Sequence, residues 1–254
     1  MQAMRLGVVN FLNAYPLWAG LEHLPEIQLV PDVPSRLALE LRAGNLDAAL
    51  VSSVEYLRHP AGFVYHPQIC IAATRESRSI RLFVRSTHEE FSAAARSLTR
   101  IYTDAASRSS VAQLQVMLRE LGLSPGLEEI TAAGERITSL RDSEAVLAIG
   151  DTALLHMAQP SYDLQQEYHT LFNHGFVYAL WVCRAGSAAA LDPILQEAYA
   201  QWQSRTPELL AEAVRRFGFS LAFTTEYLSQ VIEHRLTPEH QKDLEFFAKK
   251  LQGL

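Results

Sequence analysis

The sequence has few of the residues that reactive-site chemistry most often uses. Its 254 residues include only two cysteines, Cys70 and Cys183, and both stand in apolar segments, so we expect buried thiols. Only three lysines occur, Lys242, Lys249 and Lys250, and all are crowded near the C-terminus. Covalent chemistry through a lysine Schiff base, including a pyridoxal phosphate link, is therefore disfavoured.

Signatures of nucleotide, metal and nucleic-acid binding are also missing. The 12 glycines are scattered and form neither G-x-G-x-x-G nor G-x-x-x-x-G-K-[ST], and no G-x-S-x-G or H-E-x-x-H occurs. The nine histidines include no i, i+4 pair, which disfavours a metal site. The net charge is −6 and the basic residues as a whole are not clustered along one segment, so the sequence lacks the positive surface expected of a nucleic-acid-binding protein. We expect no metal and no other cofactor.

The sequence shows no membrane or export segment. No apolar run approaches the roughly 18 residues that a membrane helix needs. The N-terminus enters a strand-like run directly and lacks the basic, apolar and small-residue regions of a signal peptide. We therefore expect a cytoplasmic protein that binds neither membrane nor nucleic acid, and the sequence leaves its oligomeric state open.

Strand-like and helix-like segments alternate along most of the chain. Strands are predicted over residues 6–11, 46–51, 69–73, 80–84, 100–103, 145–149 and 176–182. A helix over 35–43 should stop at Gly44, and a second helix should carry Val111, Leu114 and Met117 on its buried face. This order predicts an α/β protein with two lobes built on parallel sheets.

The last third of the chain has a different character. From Leu191 onward the pattern predicts four helices, with Thr206 and Thr237 as N-caps before prolines. We expect this helical tail to pack on the first lobe. The first lobe is predicted to comprise residues 1–85 and 184–254, and the second residues 86–183, with a crossover over 86–95.

Small polar residues stand where the predicted strands end. They are Asn13, Ser52, Ser53, Ser77, Ser79, the run 107–110 and Asp151. Ligands of open α/β sheets bind outside the carboxyl ends of strands, and helix N-termini opened by serines favour carboxylates. Ordinary helix caps and turns explain each residue equally well when it is taken alone. Only their shared position favours a site for a small anion.

Several of these residues belong to longer motifs. The segments are N-F-L-N-A-Y-P-L at 10–17, D-V-P-S-R-L at 32–37, the run 44–57 ending in V-S-S-V-E-Y-L, S-R-S-S-V at 107–111, A-I-G-D at 148–151 and F-V-Y-A-L-W at 176–181. Together they resemble the chorismate dehydratase family of the futalosine route to menaquinone. The resemblance covers about the first 180 residues. It implies a two-lobed fold similar to type II periplasmic binding proteins, and dehydration of chorismate to 3-[(1-carboxyvinyl)oxy]benzoate.

The resemblance also implies roles for individual residues. Asn13 and Ser79 correspond to catalytic residues beside the reacting ring. The substrate-binding residues that it implies are Ser52, Ser53, Ser107, Ser109, Ser110, Asp151 and Phe176. None of the matched motifs supplies an obvious general base, so a substrate carboxylate is a candidate proton acceptor.

Two loops depart from the family pattern. The run 75–78, R-E-S-R, replaces a Gly-Pro-Val-type turn, and His174-Gly175 stands where a Leu-Pro pair is common. Arg78 or Arg81 could contact a substrate carboxylate, although loop arginines are more often solvated surface charges. Contacts from both loops are therefore open at this point.

Two other functions fit the same features. A non-catalytic protein that binds small carboxylates would use the same polar strand ends, since a shared fold does not imply catalysis. The related 1,4-dihydroxy-6-naphthoate synthase has the same fold, but it opens with a Pro-Asn-Asp-type motif where this chain has Phe11-Leu12-Asn13.

Overall fold

The computed structural model describes residues 3–87 and 90–253, which form two compact units. The first unit comprises residues 3–72 and Val177–Gln241, and the second comprises Ala73–Phe176 and residues 242–253. The strands are β1 Met4–Val8, β2 Ile27–Pro31, β3 Ala48–Ser52, β4 Phe63–Ala73, β5 Ile80–Val84, β6 Arg100–Asp104, β7 Gly126–Ile130, β8 Glu144–Ile149, β9 Ser161–Asp163, β10 Phe176–Arg184 and β11 Glu233–Arg235.

Helices separate most of these strands. They are α1 Pro34–Ala43, α2 Ser53–Arg58, α3 Phe91–Ser97, α4 Ser109–Glu120, α5 Ala133–Ile137, α6 Gly150–Leu155, α7 Leu164–Phe172, α8 Ala188–Ser204, α9 Thr206–Phe217, α10 Leu221–Glu226 and α11 Pro238–Leu251. Helix α1 ends as predicted, because Gly44 adopts a left-handed φ of +83° and its amide closes the last turn. Residues 88 and 89, inside the predicted crossover, lie outside the described residues; the rest of that interval contains the start of α3.

The first unit is built on a six-stranded sheet in the order β11-β4-β10-β3-β1-β2. Strand β1 runs parallel to both β2 and β3, whereas β10 runs antiparallel to β3. A Cβ on Gly7 of β1 would come within 2.8 Å of side-chain atoms of Leu37 and Leu46, so this glycine permits close packing against the sheet. Because β1 and β3 are parallel neighbours, the residues after both strands emerge at one edge.

The second unit is built on a five-stranded sheet in the order β7-β6-β8-β5-β9. Strand β6 is parallel to β7 and β8, but β5 is antiparallel to β8 and β9. Buried side chains such as Phe83, Val146 and Ile137 form one core cluster of this unit. Both sheets are thus mixed, and the prediction of parallel sheets was wrong because a buried apolar run does not encode strand direction.

The C-terminal segment is helical as predicted, with one added strand. Helix α8 packs closely on the first unit, since a Cβ on Gly20 would lie 3.1 Å from the carbonyl oxygen of Ala198. Thr237 accepts a hydrogen bond from the His240 amide, as an N-cap does. Thr206 does not cap α9, because the N-cap is Arg205 and the Thr206 hydroxyl donates to the Trp202 carbonyl at the end of α8. Strand β11 was not predicted.

The two units divide the chain at other positions than the sequence suggested. The divisions fall after residues 72 and 176, not after 85 and 183, and residues 242–253 belong to the second unit. Hydrogen bonding explains the difference, because β5 pairs with β8 and β9 while β10 pairs with β3.

None of the helices in residues 3–87 and 90–253 is both long enough and apolar enough to cross a membrane.

Candidate functional site

Asn13 lies in a short 3-10 helix, Leu12–Leu17, that follows β1. Its backbone carbonyl accepts a hydrogen bond from Nε2 of His234, at 2.7 Å. Its side-chain Oδ1 is buried and has no hydrogen-bond partner among the described residues. A buried polar atom without a partner is costly and calls for an explanation, and a bound ligand is one.

His234, on β11, holds the Asn13 backbone as a neutral imidazole. Burial lowers the pKa of His234 to about 4, although the hydrogen bond to Asn13 and the nearby Glu233 carboxylate act in the opposite direction. Because a carbonyl can only accept, Nε2 of His234 carries the hydrogen. No local sequence pattern marks His234 as part of the site, because it lies 221 positions from Asn13 along the chain.

Ser52 and Ser53 stand at the junction of β3 and α2. Ser52 is the N-cap residue of α2, but its side chain makes no cap hydrogen bond to the described backbone. The Ser53 hydroxyl donates to the carbonyl of Val177 at 2.6 Å, and Ser53 is fully buried. One of the two serines thus links α2 to β10 through its hydroxyl.

Ser79 lies in the second unit, just before β5. Its amide donates to the Ser77 carbonyl at 2.6 Å, and its carbonyl accepts from the amide of Gly150 at 2.8 Å. The backbone is fixed on both sides, yet the buried hydroxyl oxygen of Ser79 has no partner in the described part of the chain. The predicted catalytic hydroxyl is therefore presented by a rigid segment.

A buried carboxylate that sequence analysis missed supports this segment. Asp163 accepts from the Arg78 amide at 2.6 Å, and from the amide and the hydroxyl of Ser77 at 3.2 Å. It is also the N-cap of α7 and accepts from the amides of residues 165 and 166. Burial raises the pKa of Asp163, while the N–H donors and the nearby Arg81 oppose that rise. The Asp-Leu-Gln-Gln run at 163–166 was an available capping signal.

The serines of the 107–111 motif surround the start of α4. Ser109 and Ser110 are its first two residues, while the N-cap position is held by Arg108 and not by a serine. The Ser107 amide closes a turn onto Asp104, and the buried Ser107 hydroxyl has no partner within the described residues. First-turn amides and a free hydroxyl together suit a carboxylate.

The remaining two predicted residues have clearer structural surroundings. Asp151 lies in the first turn of α6, which Ile149 caps. The ring of Phe176 is 1% exposed and packs edge-on against Tyr168 and Phe247, with centroids 5.4 and 4.6 Å away. Phe176 is therefore a core residue of the second unit.

In both loops that depart from the family pattern, side chains contact other residues of the second unit. Nδ1 of His174 lies 2.8 Å from Oδ1 of Asp243, and its ring stacks on Phe246 with centroids 3.9 Å apart. A Cβ on Gly175 would lie 2.6 Å from Oδ2 of Asp243, so the glycine makes room for this contact. Arg78 has a left-handed φ of +56°, and its guanidinium pairs with Glu76 at 2.9 Å.

Among residues 3–87 and 90–253, no group of three or more histidine, cysteine, aspartate or glutamate side chains could hold a metal ion.

Comparison with known proteins identifies the family. A family model described as menaquinone biosynthesis matches residues 4–252. The chain belongs to this menaquinone biosynthesis family. A chorismate dehydratase from Thermus thermophilus is 26% identical across 99% of this chain and 96% of its own length.

Solved structures confirm the fold. A protein from Archaeoglobus fulgidus superposes with a TM-score of 0.76 at 11% identity, covering 99% of this chain and 96% of that chain. The periplasmic aliphatic sulphonate binding protein of Escherichia coli superposes with a TM-score of 0.68 at 16% identity, covering 100% and 87%. This member of the menaquinone biosynthesis family thus has a fold of the periplasmic-binding-protein type, as the sequence predicted. At identities this low, the similarity establishes the fold and says nothing about the ligand.

Proposed function

We propose that this chain is a chorismate dehydratase that converts chorismate to 3-[(1-carboxyvinyl)oxy]benzoate and water. The observation that carries the proposal is the full-length similarity to the chorismate dehydratase of Thermus thermophilus. Three of the implied site residues, Asn13, Ser79 and Ser107, also have buried polar atoms without partners among the described residues. The hydroxyl of chorismate could donate to the Asn13 Oδ1, and substrate oxygen atoms could accept from the two serine hydroxyls.

The reaction makes modest demands on the protein. One ring C–H bond and the ring C–OH bond break, the electron pair of the C–H bond completes the aromatic ring, and proton and hydroxide leave as water. Electrons balance without an oxidant or reductant. Aromatisation makes the step downhill, so the protein must mainly orient the substrate and stabilise charge that develops on the departing oxygen.

The available groups suit these tasks. We assign catalytic roles to the Asn13 side chain and to the Ser79 hydroxyl, each as a group that can hydrogen-bond a substrate oxygen. The amides and hydroxyls at the start of α4, together with Ser52, would bind substrate carboxylates. We assign acceptance of the ring proton to a substrate carboxylate, and Asp151, the one acidic side chain among the implied site residues, to substrate binding.

The test is conversion of chorismate by the purified protein, with the aromatic product followed by chromatography. Asn13→Ala should lower kcat by about 10²- to 10³-fold, because it removes the side-chain Nδ2 that can donate to the departing oxygen. Asn45→Ala is the matched control, since Asn45 is exposed and its side-chain amide donates to the nearby Glu40 carboxylate. It should keep the parent rate.

Other outcomes point elsewhere. Binding of chorismate without turnover would favour a solute-binding role. Absence of both binding and turnover would mean that the ligand is a different compound. Full turnover by Asn13→Ala would remove Asn13 from the reaction even if the dehydratase activity itself were established.

A further inference from the structure

Asp163 makes more hydrogen bonds than its role as a helix cap requires. The additional bonds join the start of α7 to the segment before Ser79. An N-cap aspartate needs only the amides at the start of its own helix, here those of Gln165 and Gln166. The same carboxylate also accepts from the Ser77 amide, the Ser77 hydroxyl and the Arg78 amide, about 85 positions earlier in the chain. These extra contacts fix the residues immediately before Ser79.

The conformation of Arg78 shows that the loop is under restraint. Its φ of +56° lies in the left-handed region, where a residue with a Cβ is disfavoured. The short bond from the Arg78 amide to Oδ2 of Asp163, 2.6 Å, stabilises this conformation. With Arg78 held there, the Ser79 amide reaches the Ser77 carbonyl and the Ser79 carbonyl receives the Gly150 amide.

A fully buried amide pair extends this support. Nε2 of Gln165 donates to the Thr74 carbonyl at 2.9 Å and to the His174 carbonyl at 3.2 Å, while its Oε1 accepts from Gln113. Gln113 lies one turn into α4, after Ser109 and Ser110. The start of α7 is thereby bonded to the loop before Ser79, to the His174 loop and to the helix that carries the site serines.

We propose that Asp163 is a positioning residue, which sets the place of the Ser79 hydroxyl through the Ser77-Arg78 backbone. This proposal rests on the proposed function in so far as Ser79 acts on the substrate. Asp163 itself does not touch the reacting atoms. Its removal should lower the rate because Ser79 is displaced, in addition to any loss of stability.

The decisive variant is Asp163→Ser. Serine is a good N-cap and keeps the hydrogen bond that starts α7, but its single short hydroxyl cannot also bridge to Ser77 and Arg78. Asp142→Asn is the matched control, because Asp142 in the same unit is 86% exposed and pairs with the exposed Arg85. Loss of hydrogen bonds to a charged group corresponds to a change of about 10- to 100-fold in an equilibrium or rate constant.

Amide hydrogen exchange on the ligand-free protein tests the positioning directly. In Asp163→Ser, the amides of Ser79 and Gly150 should exchange about 10- to 100-fold faster, since both bonds depend on the placement of Ser79. Amides inside α7 should change little, because the cap is kept. Unchanged exchange at Ser79 and Gly150 would overturn the proposal.

Kinetics supply the second readout. Asp163→Ser should reduce kcat by about 10- to 100-fold with a much smaller change in KM. Adding Arg78→Gly should restore part of this loss, by about 5- to 30-fold, because glycine adopts positive φ without the cost that arginine bears. A merely structural residue would lower the melting temperature without this split between kcat and KM and without rescue.

The two proposals fail in different ways. If the parent protein does not convert chorismate, the proposed function is wrong, and the exchange rates at Ser79 and Gly150 still decide whether Asp163 sets the loop. If the parent is active and Asp163→Ser keeps its kcat, the positioning role is wrong while the dehydratase stands.

Discussion

Acid should destabilise the first unit through His234. The folded protein holds the pKa of this histidine at about 4, against an ordinary value of 6.5, because the ring is buried. The unfolded chain therefore takes up a proton near pH 6.5 that the folded protein takes up only near pH 4. The contribution of His234 to stability is complete above about pH 6.5, falls as the pH drops from there to about 4, and changes no further below that.

The size of this effect follows from the shift. The lowered pKa corresponds to roughly 3 kcal/mol in total, most of which is lost between pH 7.5 and pH 4.5. Glutamine at position 234 does not titrate, and its amide can still donate to the Asn13 carbonyl. The advantage of the parent protein over His234→Gln should therefore shrink by about 2–3 kcal/mol between the two pH values.

Tryptophan fluorescence in urea is the suitable assay. The three tryptophans, Trp18, Trp181 and Trp202, all belong to the first unit, so their signal reports its unfolding. Comparison with the variant cancels the carboxylates and other buried histidines, such as His66, whose pKa is also lowered by burial. Substituting the exposed His23 by glutamine provides the control and should leave the pH dependence unchanged. A constant difference between parent and His234→Gln across this pH range would refute the reasoning.

Two further predictions concern packing and reactivity. Gly175→Ala should lower the free energy of unfolding by about 1–3 kcal/mol, measured by chemical denaturation, because the new Cβ would lie 2.6 Å from Oδ2 of Asp243; an unchanged value would show that the loop yields freely. Cys70 and Cys183 are buried, and burial raises the pKa of both thiols. Both should resist a thiol reagent in the folded protein and react fully in denaturant, and rapid labelling of the folded protein would contradict the structure.

Local signals in the sequence predicted individual elements well. Helix α1 with its glycine stop, strand β5 and the buried Leu114 and Met117 of α4 follow from periodicity and end signals over a few residues. Val111 of α4 is only half-buried, contrary to the prediction, whereas Gln113 and Val116 are buried. Family motifs predicted the fold, which the solved structures confirm. Short polar strands escaped detection: β11 contains only Glu233, His234 and Arg235 and has no alternating apolar pattern.

Strand direction and support of the site could not be read in the same way. Strands β5 and β10 have the same apolar character as β8 and β3, with which they pair, so nothing local reveals that these pairs are antiparallel. His234 and Asp163 act on residues 221 and about 85 positions away. No spacing rule connects such pairs, since only the fold brings them together.

The residues to which the family resemblance assigns similar roles differ in whether their side chains are already hydrogen-bonded or packed within the protein. Asn13, Ser79 and Ser107 each keep a buried polar atom without a partner among the described residues, although the surrounding backbone is bonded. Ser53, by contrast, directs its hydroxyl to the Val177 carbonyl, and Phe176 packs its ring against aromatic neighbours. The first group is therefore where ligand contacts should be sought, and the second is where substitutions should act through stability.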